Sequence, residues 1–224
     1  MTTFVLIPGA GGVAWYFSRL VPLLERAGHH AIAVDLPGAD ETAGLGEYAD
    51  LVERAAGAAD QPVLVAQSLG GFTAAIVAAR CRVRELVFVN AMIPTPGETP
   101  GEWWGAVGSG AARVAAAERH GYPAEFDLDT YFLHDVDPAV AAEGEPYQRP
   151  EADAVFASVC TFERWPDVPI RVLASAEDRF FPVDFQRRVA KDRLGVDADV
   201  LPGGHLIALS NAGGVAEYLL AAAS

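Results

Sequence analysis

Short, uniformly apolar runs alternate along the chain with longer stretches whose apolar residues recur at helical spacing. An apolar run rich in β-branched residues is typical of a strand that is covered on both faces of a parallel sheet. We predict such strands at Phe4–Ile7, Ala31–Val34, Pro62–Ala66, Glu85–Val89, Ile170–Ala174 and Ala198–Leu201. The helices predicted around them are Trp15–Ala27, Tyr48–Ala59, Gly70–Arg80, Pro182–Lys191 and Ile207–Ala222. The alternation therefore predicts an α/β fold, with a parallel sheet between two layers of helices.

Residues 94–166 interrupt this alternation. The segment opens with prolines and contains no convincing strand. Its aromatic residues include Trp103, Trp104, Tyr122, Phe126, Tyr131 and Phe132. We interpret residues 94–166 as a helical cap inserted after the fourth strand, so that residues 1–93 and 167–224 form a single α/β core. Two roles are open for the aromatic side chains, which can fill the inside of the cap or form the wall of a binding pocket.

One serine follows the third predicted strand. In an open parallel sheet, ligands bind beyond the carboxyl ends of the strands, so the residues after each strand are the candidate site residues. Ser68 stands between Ala66 and Gly70 and directly precedes a predicted helix. This arrangement predicts a nucleophile elbow, a sharp strand-to-helix turn that exposes one serine and needs small residues two positions to either side. On this motif alone, a serine that only caps the helix is the alternative.

An acid and a histidine follow two later strands. Asp178 lies in the loop after Ile170–Ala174, and His205 follows Ala198–Leu201. Together with Ser68 they have the chain order serine, acid, histidine that is known for catalytic triads on this kind of sheet. We therefore predict Ser68 as the nucleophile, His205 as the base and Asp178 as the acid that orients the base.

Other ionisable residues compete for these roles. Glu177 is the nearest rival of the predicted acid, because it lies in the same loop. His29 and His30 precede their strand, so we expect them at the opposite edge of the sheet. His120 and His134 belong to the predicted cap and stay open as alternatives, although no acid placed by the sheet accompanies them.

A glycine-rich turn, residues 8–14, follows the first predicted strand. Such a turn can direct backbone amides at a developing oxyanion, and we predict Ala10 and Leu69, the residue after the serine, as the two donors. The same turn also fits the dinucleotide pattern G-x-G-x-x-A, and Asp35 ends the next strand. Against an NAD-dependent oxidoreductase, the bulky Trp15 stands where the helix should approach the sheet closely. No tyrosine is followed four residues later by the lysine that a short-chain dehydrogenase needs.

Composition and charge narrow the possible partners. The chain has 224 residues, enough for one domain with an inserted cap, and its net charge of −14 argues against a nucleic-acid partner. No basic, cleavable leader begins the sequence, and no apolar run approaches the length of a membrane span. We therefore expect a soluble, cytoplasmic protein without a membrane partner. Cys81 and Cys160 are expected to be free, partly buried thiols, since they have neither disulfide nor metal-ligand spacing.

These motifs together resemble a known family, the small α/β-hydrolases that include plant methylesterases, hydroxynitrile lyases and their bacterial relatives. The matching stretches are Phe4–Tyr16, Val34–Gly38, Val63–Phe72, Val89–Pro94, Ala176–Arg187 and Gly203–Leu209. The resemblance implies the α/β-hydrolase fold, with about six parallel strands and Ser68, Asp178 and His205 as the catalytic residues. Pro8 stands where the family often has histidine. Leu206 stands where the lyases have a lysine that stabilises cyanide, so the chain resembles the esterases more closely.

The expected function is that of a serine hydrolase of the carboxylesterase type. Its substrate would be a small-molecule carboxylic ester or lactone, cleaved through an acyl-enzyme on Ser68. This chemistry requires no metal and no organic cofactor. Two alternatives stay open: a small-molecule binding protein of the same fold that turns over slowly or not at all, and the NAD-binding oxidoreductase. The sequence specifies no oligomeric state.

Overall fold

One sheet of six parallel strands forms the centre of the computed structural model, which describes residues 1–57 and 59–221. The strands are β1 (Thr3–Ile7), β2 (His30–Ala33), β3 (Val63–Gln67), β4 (Glu85–Val89), β5 (Ile170–Ser175) and β6 (Asp199–Leu201). They lie in the order β2-β1-β3-β4-β5-β6, and every neighbouring pair is parallel. The order reverses between β1 and β3, and an open sheet binds its ligands at such a reversal.

Helices cover the sheet and form the segment inserted after β4. The α-helices of the described residues are α1 (Val21–Arg26), α2 (Leu45–Ala56), α3 (Gly70–Arg80), α4 (Pro100–Val107), α5 (Ser109–His120), α6 (Pro138–Gly144), α7 (Asp153–Phe156), α8 (Val183–Leu194), α9 (Ile207–Ser210) and α10 (Ala212–Ala221). Short 3₁₀ turns lie at Ala14–Phe17 and Glu145–Tyr147, and a π-helical turn lies at Asp129–Leu133. Within residues 1–57 and 59–221, no helix combines the length and the apolar character that crossing a membrane requires.

Residues 94–166, which we call the cap segment, contain α4–α7 and no strand. The segment therefore has the helical character that the sequence predicts. Its division from the core at residues 93 and 167 stays a prediction.

Two apolar layers enclose the sheet, because successive side chains of a strand point to opposite faces. On one face, Val5, Leu64 and Phe88 are buried in a cluster with residues of α2, α3 and α8. On the other face, Phe4 and Val65 are buried in a cluster with residues of α1 and α10. Burial on both faces explains why the strands are apolar throughout, and it confirms the predicted parallel sheet.

The predicted strands are confirmed, and each observed end lies within one residue of the predicted end. Two predicted helices are wrong in their continuity. Trp15–Ala27 is a 3₁₀ turn followed by α1, because Pro22 has no N–H and its ring would clash with the preceding turn of a continuous helix. Ile207–Ala222 is interrupted at Asn211, whose side chain accepts a hydrogen bond from the amide of Gly214 at 3.1 Å and so caps α10.

Helices α2 and α8 differ from their predictions only at the ends. Helix α2 begins at Leu45 and ends at Ala56. At its start, the Glu47 carboxylate accepts a hydrogen bond from the amide of Gly44 at 2.9 Å. Helix α8 extends beyond the predicted Lys191 to Leu194. Ala58 and Ala222, which belong to two of the predicted helices, lie outside the described residues.

Both cysteines are free, as the sequence predicts. The expected partial burial is wrong for Cys81, which is exposed where α3 ends, whereas Cys160 is buried. Burial raises the pKa of the Cys160 thiol to about 12, so this side chain stays protonated and unreactive at neutral pH.

Helix α3 begins in very close contact with the backbone that follows β1 and β4, the two strands that flank β3. A Cβ atom on Gly70 would lie 2.6 Å from the carbonyl oxygen of Pro8, just after β1. A Cβ atom on Gly71 would overlap the carbonyl oxygen of Met92, in the loop after β4. Only glycine allows so close an approach of two backbones. The start of α3 is thereby fixed at the carboxyl edge of the sheet.

We expect Gly71→Ala to lower the free energy of unfolding by about 1–3 kcal/mol, because the added methyl group requires the backbone at Met92 to shift. Gly105→Ala is the matched control, since Gly105 is an exposed glycine of α4 with no atom within 4 Å of an added Cβ. Alanine at that position should raise the free energy of unfolding by about 0.5–1 kcal/mol. Urea unfolding followed by circular dichroism measures both changes. Equal effects at the two glycines would contradict the close approach at Gly71.

Candidate active site

Ser68 occupies the turn between β3 and α3. Its φ angle is +50°, a left-handed conformation that is strained for every residue except glycine. The Ser68 carbonyl oxygen accepts hydrogen bonds from the amides of Gly71 at 3.2 Å and Met92 at 2.9 Å, which hold the turn in place. The structure thus places Ser68 at a sharp strand-to-helix turn, as the sequence predicts.

A chain of hydrogen bonds joins Ser68, His205 and Asp178. The Oγ atom of Ser68 lies 3.1 Å from Nε2 of His205, and Nδ1 of His205 lies 2.9 Å from Oδ2 of Asp178. The three residues are buried, with exposed fractions of 8%, 1% and 4% in that order. An ionised carboxylate only accepts hydrogen bonds, so the Nδ1–H group donates to Asp178. Nε2 of His205 is then left with a lone pair that can accept the hydroxyl proton of Ser68.

Several donors fix the carboxylate of Asp178. Its Oδ1 atom accepts hydrogen bonds from the amides of Phe180 and Phe181, both at 2.8 Å. Gln186 of α8 donates from Nε2 to Oδ2 of Asp178 at 3.1 Å and to the carbonyl of Phe181 at 2.7 Å. Together with His205, these groups compensate for burying the negative charge. No sequence pattern predicts the role of Gln186; the available signal is an uncharged polar residue in a helix rich in charged residues.

Three phenylalanine rings surround the imidazole of His205. Phe132, in the π-helical turn of the cap segment, stacks on it with 4.8 Å between ring centroids and 17° between ring planes. Phe180 and Phe181 meet the imidazole edge-on, with centroid distances of 5.1 and 5.2 Å. π-Helical turns are rare and frequently occur at functional sites. The rings keep water away from the imidazole, and a hydrogen bond is stronger in such apolar surroundings.

Contacts from two directions hold the loop that carries His205. Asn90, directly after β4, has a φ angle of +46° and donates from Nδ2 to the carbonyls of Gly204 and His205, both at 3.1 Å. At the end of β5, Asn90 Nδ2 donates to Oγ of Ser175 at 2.8 Å, and Asn90 Oδ1 accepts a hydrogen bond from the Ser175 amide at 2.8 Å. Asp135 of the cap segment accepts a hydrogen bond from the Gly204 amide at 2.5 Å. Asn90 lies in one of the stretches that resemble the family, but no sequence pattern indicates the role of Asn90 or of Asp135.

The rival ionisable residues do not take part in the hydrogen bonds that join Ser68, His205 and Asp178. Glu177 accepts a hydrogen bond from a backbone amide of the loop that carries the imidazole, so its carboxylate supports that loop. His29 and His30 lie at the start of β2, on the opposite edge of the sheet. His120 and His134 line a second cavity, of about 610 Å³, to which the serine does not contribute. Burial lowers the pKa of the His134 imidazole.

The glycine turn packs directly against Ser68. The amide of Gly9 donates to Oε1 of Gln67 at 3.0 Å, and a Cβ atom on Gly9 would lie 2.7 Å from Cβ of Ser68. Ala10 and Leu69 line the same cavity as Ser68. Within the part of the chain that the structure describes, neither of their amides donates a hydrogen bond. The structure therefore brings the two predicted donors to the wall that contains the serine.

Strand order and close packing argue against dinucleotide binding. A dinucleotide-binding sheet has the order 3-2-1-4-5-6, whereas here β1 lies between β2 and β3. Cβ atoms on Gly11 and Gly12 would lie 2.7 and 2.5 Å from the carbonyl oxygens of Arg149 and Leu36, so protein atoms fill the space that a pyrophosphate would need. Asp35 accepts a hydrogen bond from a backbone amide of the turn at 3.0 Å. Among the described residues, no group of three or more His, Cys, Asp or Glu side chains is arranged to hold a metal ion.

Ser68 and His205 lie at the wall of a cavity of about 510 Å³, a volume that suits a small organic ligand. Large apolar and aromatic side chains form most of its surface, including Trp15, Tyr16, Trp104, Phe126, Phe132, Phe156 and Phe180. The polar side chains at the cavity include those of Gln67, Gln148, Arg149 and Glu151.

Some aromatic residues of the cap segment form the wall of the cavity, and others fill the inside of the segment, so both roles that the sequence leaves open occur. Trp104, Phe126 and Phe132 line the cavity. Trp103 and Tyr131 are completely buried, and neither lines the cavity. The adjacent residues Trp103 and Trp104 differ because neighbouring side chains of a helix point in different directions.

Comparisons with known proteins extend this description. A family model described as the alpha/beta hydrolase family matches residues 4–218. The probable esterase PIR7A of Oryza sativa subsp. indica is 37% identical over 110 residues, which are 44% of this chain and 42% of that protein. The chain thus matches less than half the length of this relative.

Two further proteins match over most of their length. The pyrethroid hydrolase of Sphingobium wenxiniae is 27% identical over 233 aligned positions, which cover 92% of this chain and 81% of that protein. The crystal structure of polyneuridine aldehyde esterase shares the fold, with a TM-score of 0.81 at 21% identity and complete coverage of both chains. Since the family model spans the sheet, the cap segment and all three residues of the hydrogen-bond chain, this chain belongs to the alpha/beta hydrolase family.

Proposed function

We propose that this chain is a serine hydrolase that cleaves a small carboxylic ester or lactone through an acyl-enzyme on Ser68. The observation that carries the proposal is the buried chain of hydrogen bonds from Asp178 through His205 to Ser68, which ends at an apolar cavity. Membership of the alpha/beta hydrolase family supports it. So do the names of the relatives, which include a probable esterase and a pyrethroid hydrolase.

The reaction begins with acylation of the serine. Nε2 of His205 takes the hydroxyl proton as Oγ of Ser68 attacks the ester carbonyl carbon, and a tetrahedral oxyanion forms. The imidazolium, whose charge Asp178 balances, gives the same proton to the leaving oxygen, so the alcohol departs and an ester remains on Ser68. Water then repeats these steps, releases the acid and returns the proton to Ser68. Every atom comes from substrate, water or protein, so the cycle needs no metal or organic cofactor.

The amides of Ala10 and Leu69 would hold the oxyanion. Both residues line the cavity beside the serine, and neither amide is used by another described residue. Helix α3 begins directly after Leu69, and the positive end of its dipole favours a negative charge there. One oxyanion donor typically contributes about 3 kcal/mol to the stabilisation of the transition state.

The cavity favours an apolar or aromatic substrate. Aromatic side chains from both the core and the cap segment, Trp15 and Trp104 among them, provide faces and edges against which a phenyl ring can pack. The polar side chains Arg149 and Glu151 are already hydrogen-bonded to backbone or to protein side chains. A substrate with a free charge would therefore lose its water and gain no free charged partner from these two side chains.

Incubation with a fluorophosphonate should add one adduct to the native protein and none to Ser68→Ala, because the Ser68 hydroxyl has the imidazole of His205 beside it. Ser18→Ala is the matched control, since the buried Ser18 hydroxyl has no hydrogen-bond partner among the described residues, and this variant should be labelled like the native protein. Intact mass measures the adducts. His205→Ala should slow the labelling by about 10²–10⁴-fold, the usual contribution of a general base.

The remaining outcomes of this labelling are equally informative. A folded native protein that forms no adduct would contradict the proposal. An adduct without turnover of simple activated esters would favour the slow or non-hydrolytic binding protein.

We expect the labelling rate to fall at acid pH. Protonation removes the lone pair of Nε2 on His205, and the imidazolium can no longer accept the proton of Ser68. The rate should therefore decline as the pH is lowered. Mass spectrometry of samples quenched at successive times and at several pH values gives the profile, and a rate that does not fall toward acid pH would exclude His205 as the base.

A phenyl ring on the acyl group should increase kcat/KM by roughly tenfold or more, since burying a side chain the size of phenylalanine contributes about 1.5–3 kcal/mol. Methyl phenylpropanoate and methyl propanoate form the matched pair, because they share the same leaving group and similar carbonyl reactivity. Titration of the released acid measures both rates. Equal values of kcat/KM would show that the aromatic walls do not bind the acyl group.

A further inference from the structure

The cap segment holds the glycine turn that carries Ala10. The guanidinium group of Arg149 donates from Nε to the carbonyl of Gly11 at 2.5 Å, and from Nη2 to the carbonyls of Gly12 at 2.7 Å and Leu36 at 2.8 Å. These carbonyls belong to the turn after β1 and the loop after β2. The planar fork of arginine suits such simultaneous contacts, which a lysine could not reproduce. A single side chain thereby joins two loops at the carboxyl edge of the sheet.

Glu151 holds the same turn at the backbone amide of Gly11. Its Oε2 atom accepts a hydrogen bond from the amide of Gly11 at 2.5 Å, and its Oε1 atom accepts one from the hydroxyl of Tyr48 at 2.5 Å. The pKa of the Glu151 carboxyl is raised, because the effect of burial exceeds the opposite effects of the Tyr48 hydroxyl, the Gly11 amide and Arg149. The carboxylate is thus partly buried and has protein donors on both oxygen atoms.

The turn depends on such outside contacts because it has little rigidity of its own. Gly11 and Gly12 have φ angles of +83° and +66°, and glycine reaches many other conformations at similar free energy. Among the described backbone groups, the hydrogen bond within the turn runs from the amide of Gly12 to the carbonyl of Gly9 at 3.0 Å. Contacts from the cap segment to Gly11 act together with those that the core makes with Gly9 and Gly12, so they contribute to the direction of the neighbouring Ala10 amide.

We propose that Arg149 and Glu151 are positioning residues, which fix the glycine turn so that the amide of Ala10 faces the oxyanion. This inference rests on the proposed function, because it needs Ala10 as an oxyanion donor. Neither side chain has to touch the reacting atoms, since both act through the backbone of Gly11. An oxyanion donor is effective only when it is held in place before the reaction, so a loosened turn should slow the chemistry itself.

A second polar contact between the cap segment and the core provides the control. Arg19, just before α1, forms an ion pair with Glu143 of α6 at 2.5 Å. Both side chains are substantially exposed, and neither residue contacts the glycine turn through this pair. Glu143→Gln therefore weakens the attachment of the cap segment and leaves the contacts of Arg149 intact.

The experiment compares kcat and KM for methyl phenylpropanoate with the binding of two ketones that carry the same phenylethyl group. The trifluoromethyl ketone adds to Ser68 and forms an oxyanion, whereas the methyl ketone binds as a neutral molecule. In Arg149→Ala, we expect kcat to fall by roughly 10–100-fold, the usual cost of a misplaced oxyanion donor. The trifluoromethyl ketone should bind more weakly by a similar factor, while KM and the methyl ketone change by less than about threefold. Glu143→Gln should leave all four quantities unchanged.

Two milder variants keep the test independent of folding. Arg149→Lys retains the positive charge but cannot reach three carbonyls, and Glu151→Gln offers one acceptor oxygen to two donors. Both should reproduce the selective loss of kcat and of trifluoromethyl ketone binding, with Arg149→Lys closer to the alanine variant. If Arg149→Ala does not fold, this pair decides the outcome. A folded variant with a lower unfolding midpoint but unchanged kcat and ketone affinities would overturn the inference and leave Arg149 a structural anchor.

Fluorophosphonate labelling of the native protein distinguishes a failure of the proposed function from a failure of the positioning role alone. A native protein that is not labelled refutes the proposed function, and the positioning role falls with it. A native protein that is labelled and turns over, with Arg149 variants of unchanged kcat, refutes the positioning role alone.

Discussion

The candidate site depends on the close approach between the backbone after β3 and the backbones after β1 and β4. Gly70 lies against the carbonyl of Pro8, and Gly71 lies against the carbonyl of Met92. The chain can only enter this space by a sharp turn at Ser68, whose left-handed backbone costs about 1–3 kcal/mol. Hydrogen bonds to the Ser68 carbonyl hold the turn. Because parallel strands all end at one edge, a side chain on this turn faces the loops that follow the other strands.

The cap segment contacts the loops that carry the candidate site at the carboxyl edge of the sheet. Asp135 holds the loop of His205, Arg149 and Glu151 hold the glycine turn, and Phe132 stacks on the imidazole. The hydrogen bonds among these contacts reach backbone groups that have no partner within the sheet. The buried backbone would lose those partners if the segment moved away, at a cost of about 1–3 kcal/mol for each unpaired group. The cap segment is therefore a structural part of the candidate site.

Periodicity sufficed to predict the sheet, because every strand is buried on both faces and is apolar throughout. Ser68, Asp178 and His205 could be placed together because each follows a strand, and topology alone brings strand ends to one edge. Arg149 and Glu151 could not be predicted in the same way. Their partners are backbone groups 138 and 140 residues away, and backbone groups are the same in every residue, so no side-chain pattern marks them. The cap segment also has no sheet to impose a register on its helices.

The aromatic surroundings of His205 suit a positive charge that exists only briefly. In the proposed cycle the imidazole becomes an imidazolium while it is 1% exposed, so water cannot stabilise it. Asp178 supplies the compensating charge, and its other hydrogen bonds keep the carboxylate from turning toward another partner. The face of Phe132, 4.8 Å from the imidazole, carries the negative part of the ring quadrupole and attracts a cation. The same ring therefore excludes water from the base and offsets part of the cost of excluding it.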